Sequence, residues 1–409
     1  MVAPVQIEVY DKSLRRVGTI GAPISLVAAI RHNAASTVDI AIPNESPRLN
    51  DVVAEGAVIQ VLYPGVTGPL ISGPVTKVTG TLAAHGVTIT VIDQFKVIQD
   101  ILGWPVPGAA LTAQNVTADV RTGPVETIVK GVIGAAVARL GLPYTMAPDL
   151  GRGPQTTGSW RMVPLADVIL PMLLAGGVGL SVQLRPAVAG TGGVFQSPGW
   201  VVDCYMPRTY PRALSDIAGT LTDWTLEKVP PSATRLVLGA AGTDVNRTFI
   251  PNVDTTAEAL WGQANVTERF VDQSQVGAAL ATAQAAYTAT PNATTQAALT
   301  AAQNQYNSDV AAAFITAKTA GQAVTSLAVT LSQTATVQYG DAGLLKGDIV
   351  PVTAGSQTVT ATLTECAFTW DITSGFVVTP MVGQVVSTSR QLGRVLARLR
   401  RDVRSQQIR

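Results

Sequence analysis

The chain opens with apolar and polar residues in strict alternation, which is the period of a half-buried β-strand. Residues 5–10 (Val-Gln-Ile-Glu-Val-Tyr) carry this pattern, and Asp11 and Gly18 are predicted to be turn residues after it. Similar short segments follow at residues 24–30, 37–42, 58–63, 70–78 and 87–92. Closely spaced short strands are typical of an antiparallel sandwich or barrel. Residues 1–108 are therefore predicted to form a first β-barrel module.

The pattern becomes mixed in residues 109–220. Apolar residues at helical spacing predict a helix at 125–140, which begins after Pro124 and ends before Gly141. A second helix is predicted at 165–174, where Pro171 is expected to kink the helix or end it early. Strands are predicted at 180–184 and 200–205. This region is expected to be a small α+β insert domain.

Residues 221–385 are predicted to form a second β-barrel module with a helical insert at about 255–320. The module's strands are expected at residues 221–226, 234–239, 327–339, 347–352, 357–363, 367–370 and 376–379. The insert is rich in Ala, Thr and Gln, and Pro291-Asn292 separates two helix-permissive arms. A helical hairpin is expected, or one helix and a loop, and a low-complexity linker is the alternative.

The Arg-rich segment 386–409 is predicted to be a C-terminal amphipathic helix. Residues 390–409 hold seven arginines and one acid, Asp402, with apolar residues along one helical face. It could be a solvated helix, an arm for nucleic acid or anionic lipid, or an interaction helix. The third interpretation is favoured because an apolar stripe suits partner packing and Arg suits carboxylate pairing. The predicted partner-binding residues are Arg390, Leu392, Arg394, Leu396, Arg398, Leu399 and Arg401.

The charge content limits the function classes. The 409 residues carry 28 basic and 27 acidic side chains, so the formal net charge of +1 gives no general attraction to nucleic acid. Only 13% of residues are charged, against roughly 25% in an ordinary soluble domain. We therefore expect other subunits to cover much of the surface. No uninterrupted apolar run of about 20 residues is present, so stable membrane insertion is not expected, and no signal peptide is predicted.

Candidate catalytic chemistry is sparse. The chain has two histidines, His32 and His85, and two cysteines, Cys204 and Cys366, none of them in a catalytic or zinc-binding motif. We expect hydrogen-bonded histidines, buried thiols, no cofactor and no metal site. One alternative remains, because a glycosidase needs only two suitably separated carboxylates. The densest acidic set is Asp203, Asp216, Asp223 and Glu227.

A series of short motifs, ordered along residues 1–385, resembles one family. It includes Arg31-His32-Asn33, Ile71-Ser72-Gly73, Trp160-Arg161, Leu165-Ala166-Asp167, residues 239–249 (GAAGTDVNRTF), residues 268–272 (ERFVD), Gly340-Asp341, residues 345–350 (LKGDIV) and residues 379–383 (TPMVG). Each motif is weak alone, and their order carries the resemblance. The chain resembles the tail hub proteins of long-tailed phages, also called minor tail proteins in phages of actinobacteria.

The resemblance implies a mainly β fold with α+β inserts and two tail-tube-like β-barrel modules. It further implies a structural, non-enzymatic virion protein at the phage tail tip, made in the host cytoplasm. The implied assembly is a homotrimer that closes the tail tube and anchors receptor-binding proteins. Its implied partners are tail-tube and distal tail proteins, the tape-measure protein, other tail-tip proteins and the DNA that passes through the channel. The alternatives are a tail-associated cell-wall hydrolase and a carbohydrate-binding adhesin.

Overall fold

The computed structural model consists mainly of β-strands. It describes residues 4–81, 86–186, 188–189, 195–196, 198–215, 217, 221–242, 244–321, 323–331, 338–354, 357–373 and 375–383. The first thirteen strands are β1 (Gln6–Tyr10), β2 (Arg16–Ile20), β3 (Ser25–Arg31), β4 (Thr37–Pro43), β5 (Val58–Leu62), β6 (Pro69–Thr81), β7 (Gly86–Ile92), β8 (Leu102–Gly103), β9 (Asp119–Pro124), β10 (Tyr144–Met146), β11 (Gln155–Trp160), β12 (Val163–Pro164) and β13 (Gly179–Arg185).

Twelve further strands lie between residues 188 and 383, and seven α-helices are distributed along the chain. The strands are β14 (Val188–Ala189), β15 (Phe195–Gln196), β16 (Gly199–Tyr205), β17 (Leu214–Ser215), β18 (Leu221–Val229), β19 (Arg235–Gly239), β20 (Phe249–Val253), β21 (Glu268–Asp272), β22 (Val324–Leu331), β23 (Ile349–Ala354), β24 (Gln357–Asp371) and β25 (Gly375–Gly383). The α-helices are α1 (Leu49–Val53), α2 (Val97–Asp100), α3 (Val125–Arg139), α4 (Leu165–Gly176), α5 (Thr255–Trp261), α6 (Ala278–Ala289) and α7 (Ala293–Ala320).

The contacts between residues divide the chain into two compact units. The first unit contains the described residues of Met1–Leu226 and Ser326–Arg409, and the second is Glu227–Thr325. The chain passes from one unit to the other within β18 and β22. The predicted domain boundaries at residues 108, 220 and 385 stay predictions.

One large sheet spans the first unit and joins strands from both ends of the chain. Its order is β18-β22-β25-β24-β3-β4-β7-β6-β5-β1-β2, and β17 pairs with β23, which pairs with β24. The antiparallel pairing of β24 with β3 joins the last β segment to the first. Apolar residues from both segments, such as Ile40 and Phe368, are fully buried in one common core. The described strands form no closed barrel, so barrel closure of the two modules stays a prediction.

The predicted α+β insert is present with helices and strands close to the expected positions. The three-stranded sheet β10-β16-β13 packs with α3 and α4 around a separate core. Helix α4 does not end early at Pro171 but continues to Gly176. Ile169 and Leu173 are fully buried on either side of the proline, and this burial stabilises the complete helix. Gly177, at φ 61°, ends α4 and donates its N–H to the Leu173 and Leu174 carbonyls.

The second unit is a three-stranded sheet with a long helix on one face. The sheet order is β20-β19-β21, and Phe314 of α7 packs on Leu236 and Leu238 of β19. Helices α6 and α7 confirm the predicted helical hairpin, and the linker alternative is wrong. Asn292 caps α7: its side chain accepts from the Thr295 N–H over 2.9 Å.

One local prediction, the turn at Gly18, is wrong, and one pair of strands was not predicted. Gly18 is not a turn residue but lies within β2. A Cβ at this position would lie 2.6 Å from the Arg48 guanidinium, so a larger residue would displace the end of that side chain. The pattern also gave no prediction for β9 and β11, which pair antiparallel and whose sequences lack clear alternation.

Candidate functional site

The turn after β3 ties together three parts of the first unit. Arg31 Nε donates to Glu365 Oε2 over 2.7 Å, which links the turn to β24. Asn33 has a φ of 51°, in the left-handed region that Asn tolerates. Its amide donates to the Val178 carbonyl over 2.8 Å and accepts from the Leu180 N–H over 2.9 Å, so it holds the start of β13. The Arg31-His32-Asn33 motif is therefore a structural junction.

His32 stabilises the same junction. Its Nδ1 is hydrogen-bonded to the Tyr205 hydroxyl over 2.8 Å. Burial, together with the nearby Lys346 charge, lowers the pKa of His32 to about 4. His32 is therefore neutral at pH 7, as expected for a hydrogen-bonded histidine. His85 lies outside the described residues.

The loop that leads into β23, residues 338–348, is fixed by Arg208. The guanidinium donates to both carboxylate oxygens of Asp348, over 3.0 and 2.7 Å, and to the Asp341 and Gly343 carbonyls over 3.1 and 3.0 Å. The hydrogen bond to Asp348 raises the pKa of Arg208. The Asp348 side chain is only 3% exposed, and it also accepts from the Leu345 N–H over 2.8 Å. This planar two-point pairing makes the loop rigid.

The same loop is bound to the turn between β5 and β6. Asp341 Oδ2 accepts from the Thr67 N–H over 2.7 Å, and the Asp341 N–H donates to the Gly65 carbonyl over 2.7 Å. A Cβ at Gly340 would lie 2.7 Å from the Gly65 carbonyl oxygen, so glycine permits this close approach. The loop thus lies against the first β segment.

A groove of about 280 Å³ lies between these segments, and we name it the junction groove. It is lined by Val66, Thr67, Pro69, Leu70, Ser181, Gln183, Tyr205, Met206, Pro207, Arg208, Tyr339, Asp341, Leu345, Lys346 and Asp348. Burial lowers the pKa of Lys346, whereas the charge of Asp93 opposes that change. The groove has the size and mixed lining of a small binding site. Sequence reasoning missed it, because its residues come from four distant segments.

The structure describes the side chain of only one residue of the acidic set proposed for hydrolysis, Asp203. Asp203 accepts from Lys130 Nζ over 2.8 Å, and Lys130 also donates to Glu126 over 2.6 Å. Asp216 lies outside the described residues, and Asp223 and Glu227 belong to β18, where only the backbone is described. The described residues also hold no group of three or more His, Cys, Asp or Glu side chains suited to a metal ion.

Both cysteines are free and buried, as expected. Burial raises the pKa of Cys204 to about 12 and raises that of Cys366 well above its ordinary value. Neither thiol is therefore an activated nucleophile. No helix of the described part of the chain has the length and apolar character needed to cross a membrane.

The seven predicted partner-binding residues lie outside the described residues. They are Arg390, Leu392, Arg394, Leu396, Arg398, Leu399 and Arg401. Their role in partner binding stays a prediction.

The second unit carries an apolar surface that sequence reasoning missed. The sheet face opposite α7, named here the open face, presents Phe249, Phe270 and Val253 at 55%, 50% and 44% exposure. Val237 of β19 also lies on this face, directly opposite Pro251 of β20 on one side and Phe270 of β21 on the other. Phe249, Pro251 and Val253 share this face because alternate residues of a strand point to the same side. Exposed apolar patches of this kind commonly mark interaction sites.

The chain has the fold of phage tail proteins. It is similar to the 43 kDa tail protein of prophage MuSo2 from Shewanella oneidensis, with 11% identity and a TM-score of 0.51 over 92% of this chain and 98% of that chain. It is equally similar to a tail protein from Neisseria meningitidis MC58, with 11% identity and a TM-score of 0.51 over 93% and 97% of the two chains. Prophage tail protein gp18 from Listeria monocytogenes EGD-e has 10% identity and a TM-score of 0.50 over 96% and 98%.

The sequence also matches one family model. The model for the Siphovirus ReqiPepy6 Gp37-like protein matches residues 6–384, which is most of the chain. The chain therefore belongs to this family, and the resemblance to phage tail proteins seen in the sequence motifs is confirmed. No curated protein sequence matches the chain.

Proposed function

We propose that the protein is a structural hub at the distal end of a phage tail. In this proposal three copies assemble into a ring that closes the tail tube and anchors tail-tip and receptor-binding proteins. The tape-measure protein and DNA pass through the channel when it opens. The protein is a virion component, and assembly takes place in the host cytoplasm. The observation that carries the proposal is the family match over residues 6–384.

The surface of the chain supports a role in an assembly. Charged residues make up only 13% of the chain, and the open face exposes two phenylalanines on the outer strands of a three-stranded sheet. Permanent interfaces are more apolar than ordinary surface, so such a face suits subunit contacts. The seven residues 390–401 named above would contribute a second contact through their Arg and Leu side chains.

The hydrolase and adhesin alternatives have less support. Asp203 is ion-paired with Lys130, and it is the one residue of the acidic set whose side chain is described, so no pair of carboxylates supports a glycosidase site. A sugar-binding site would require aromatic stacking platforms, and aromatic residues make up only 5% of the chain. A structural role is therefore favoured.

The solution mass of the full chain tests the proposal. Light scattering should give three times the 42.4 kDa mass of one chain. A chain that ends at Ser389 tests the Arg-rich segment, and Leu396→Ser with Leu399→Ser removes its apolar stripe at full length. A Phe249→Ser, Phe270→Ser variant tests the open face. A monomeric full chain at high concentration that also fails to join purified tails would overturn the hub proposal.

A further inference from the structure

The sheet of the second unit ends in a free strand edge at β20. Among the described residues, β20 pairs only with β19. The Asp254 N–H donates to the Thr234 carbonyl over 2.8 Å at the end of this antiparallel ladder, so the even-numbered residues of β20 turn their backbone groups toward β19. The backbone groups of Phe249, Pro251 and Val253 therefore point outward, and none of them has a hydrogen-bond partner in the described part of the chain.

The opposite edge of the same sheet, at β21, is also free. The Arg235 N–H donates to the Thr267 carbonyl over 3.0 Å, so the odd-numbered residues of this parallel pairing turn toward β19. The N–H and carbonyl groups of Glu268, Phe270 and Asp272 point outward, and no described residue bonds them. Unpaired edges of this kind are templates for a further strand.

A groove of about 580 Å³ lies beside the β20 edge, and we name it the α7 groove. It is lined by residues that include Ile250 and Asn252 of β20 and Tyr306, Val310, Phe314 and Ile315 of α7. Asn252 Oδ1 is buried and has no hydrogen-bond partner among the described residues. Lys318 also lines the groove, but it is paired with Asp254 over 3.2 Å. A buried acceptor without a donor is unfavourable, so the groove lacks one hydrogen-bond donor.

The β21 edge carries a donor that the chain does not use. Arg269 is exposed and makes no ion pair and no side-chain hydrogen bond in the part of the chain that the structure describes. Asn252 and Arg269 both lie opposite Leu236 of β19, so all three side chains are on the α7 side of the sheet. One edge of the sheet thus holds an unsatisfied acceptor, and the other edge holds an unused donor on the same face.

These features match when β21 of one copy lies antiparallel to β20 of a second copy. If Arg269 is opposite Asn252 of the second copy, Phe270 lies opposite Pro251, and Glu268 lies opposite Val253. The Phe270 N–H then meets the Pro251 carbonyl, and the two apolar side chains extend the open face across the contact. Pro251 has no N–H, which costs a single bond of the new ladder because its nitrogen already points outward.

Pairing of β21 with itself fits less well. An antiparallel β21–β21 contact centred on Phe270 would place Glu268 directly opposite Asp272 at both ends. Like charges directly opposite each other destabilise a sheet. The β20 edge avoids this repulsion, because it presents Phe249, Pro251 and Val253 on the same face.

We propose that the β21 edge of one copy pairs with the β20 edge of a second copy, and that Arg269 donates to Asn252 Oδ1 in the α7 groove. The contact is head-to-tail, so each copy uses one edge as donor of a strand and the other as acceptor. Closure after three copies rests on the proposed function, whereas the pairing itself does not.

A disulfide between the two edges tests the register in the full-length protein. The variant is Asn252→Cys with Arg269→Cys. Within one copy these positions flank β19, so their Cα atoms are about 10 Å apart, which exceeds the reach of a disulfide. Mild oxidation should therefore join copies, and a non-reducing gel should show dimers and trimers of the 42.4 kDa chain. Asn252→Cys with Thr267→Cys is the matched control, because it tests a register shifted by two residues and should give little product.

Phe270→Pro tests the backbone pairing without a cross-link, and Phe270→Ala is its control. Both variants lose the ring, but only proline loses the outward N–H. Phe270→Pro should fold, because that N–H has no partner within the chain. In sedimentation velocity over a range of concentrations, we expect Phe270→Pro to associate at least about tenfold more weakly than Phe270→Ala.

A double-mutant cycle tests the hydrogen bond between Arg269 and Asn252. Arg269→Met should weaken association at least about fivefold in the wild-type background, since a bond from a charged donor is lost. The same change in an Asn252→Ala background should have little effect, because its acceptor is already absent. Equal weakening in both backgrounds would overturn this contact.

The remaining outcomes separate the edge pairing from the hub proposal. A trimeric wild-type protein whose Asn252→Cys, Arg269→Cys variant gives no linked product keeps the hub and overturns the edge pairing. Linked product that stops at dimers overturns the head-to-tail contact, and equal product in the Thr267→Cys control overturns the register. Linked chains longer than three copies support the edge pairing and overturn closure at three.

Discussion

Arg31 on β3 and Glu365 on β24 are directly opposite each other in the sheet, and Arg31 Nε donates to Glu365 Oε2 over 2.7 Å. The two residues are 334 positions apart in the chain. Their side chains are 16% and 2% exposed, so the pair is shielded from water. The pair lies where the first and last β segments join, and it specifies the register of that pairing.

Loss of one partner of this pair should destabilise the first unit strongly. Glu365→Leu leaves the Arg31 charge buried without its acceptor, so we expect a loss of about 3–5 kcal/mol in the free energy of unfolding. Urea titration with tryptophan fluorescence measures it. Arg31→Met combined with Glu365→Leu should recover most of the loss. Asp51→Ala breaks the exposed Arg48–Asp51 pair and should cost under about 1 kcal/mol. If Glu365→Leu and Asp51→Ala lowered the free energy of unfolding equally, a special role for the buried pair would be contradicted.

The strands of this fold could be predicted from local patterns, but their pairing could not. β1 and β4 alternate clearly in sequence, and in β4 every second residue is buried, because the period of two is a local property of a strand. The pairing of β24 with β3 depends on a contact between distant segments, which no local pattern encodes. This is why the large sheet and the core that the first and last β segments share were not predicted.

The candidate site was only partly predictable for a similar reason. The Arg31-His32-Asn33 and 345–350 motifs were recognised, and both lie at the junction that the groove occupies. The groove itself could not be predicted, because four segments that are distant in the chain line it. The open face was missed because Phe249 and Phe270 belong to different strands that meet only in the folded unit.

The buried carboxylate of Glu126 should make the stability of the insert depend on pH. Burial acts to raise the pKa of Glu126, but hydrogen bonds from Lys130 and the Arg152 N–H hold it below the ordinary value. A lowered folded-state pKa contributes stability above the unfolded value of about 4.3, and this is lost as the pH falls through the folded value. Glu126→Gln should therefore be less stable at pH 7 and lose less on acidification.

Chemical unfolding at pH 7 and at about pH 3 tests this dependence on Glu126. Asp203→Asn is the matched control, because Asp203 contacts the same Lys130 but its side chain is 46% exposed. Its effect should be the smaller one. A wild-type protein whose stability is the same at both values, or a Glu126→Gln variant with the wild-type pH dependence, would contradict the role of this buried carboxylate.

Gly347 should tolerate no side chain. Its φ is 89°, and a Cβ would lie 2.7 Å from His32 Nδ1 and 3.0 Å from the Tyr205 ring. Gly347→Ala adds this clash to the backbone strain, so we expect a loss of about 2–4 kcal/mol. Gly375 is the matched control: its φ is 81°, but a Cβ would meet nothing within 4 Å. Gly375→Ala should cost only the strain of about 1–2 kcal/mol. Similar losses for both variants in thermal unfolding would show that the junction is loosely packed.

Asn292 should fix the start of α7 and with it the helical hairpin. The Asn292 side chain accepts from the Thr295 N–H, and the Thr295 hydroxyl accepts from the Asn292 N–H over 3.1 Å, which forms a capping box. Asn292→Ala removes the cap, so we expect a loss of about 1 kcal/mol and faster amide exchange in the first turn of α7. Asn304→Ala, an exposed change in the middle of the same helix, should instead stabilise it by about 0.5 kcal/mol, because Ala has the higher helix propensity. Hydrogen exchange measured by mass spectrometry separates the two effects, since capping acts on the first turn alone. If Asn292→Ala left exchange in residues 293–297 unchanged, the hairpin would be held by contacts other than its cap.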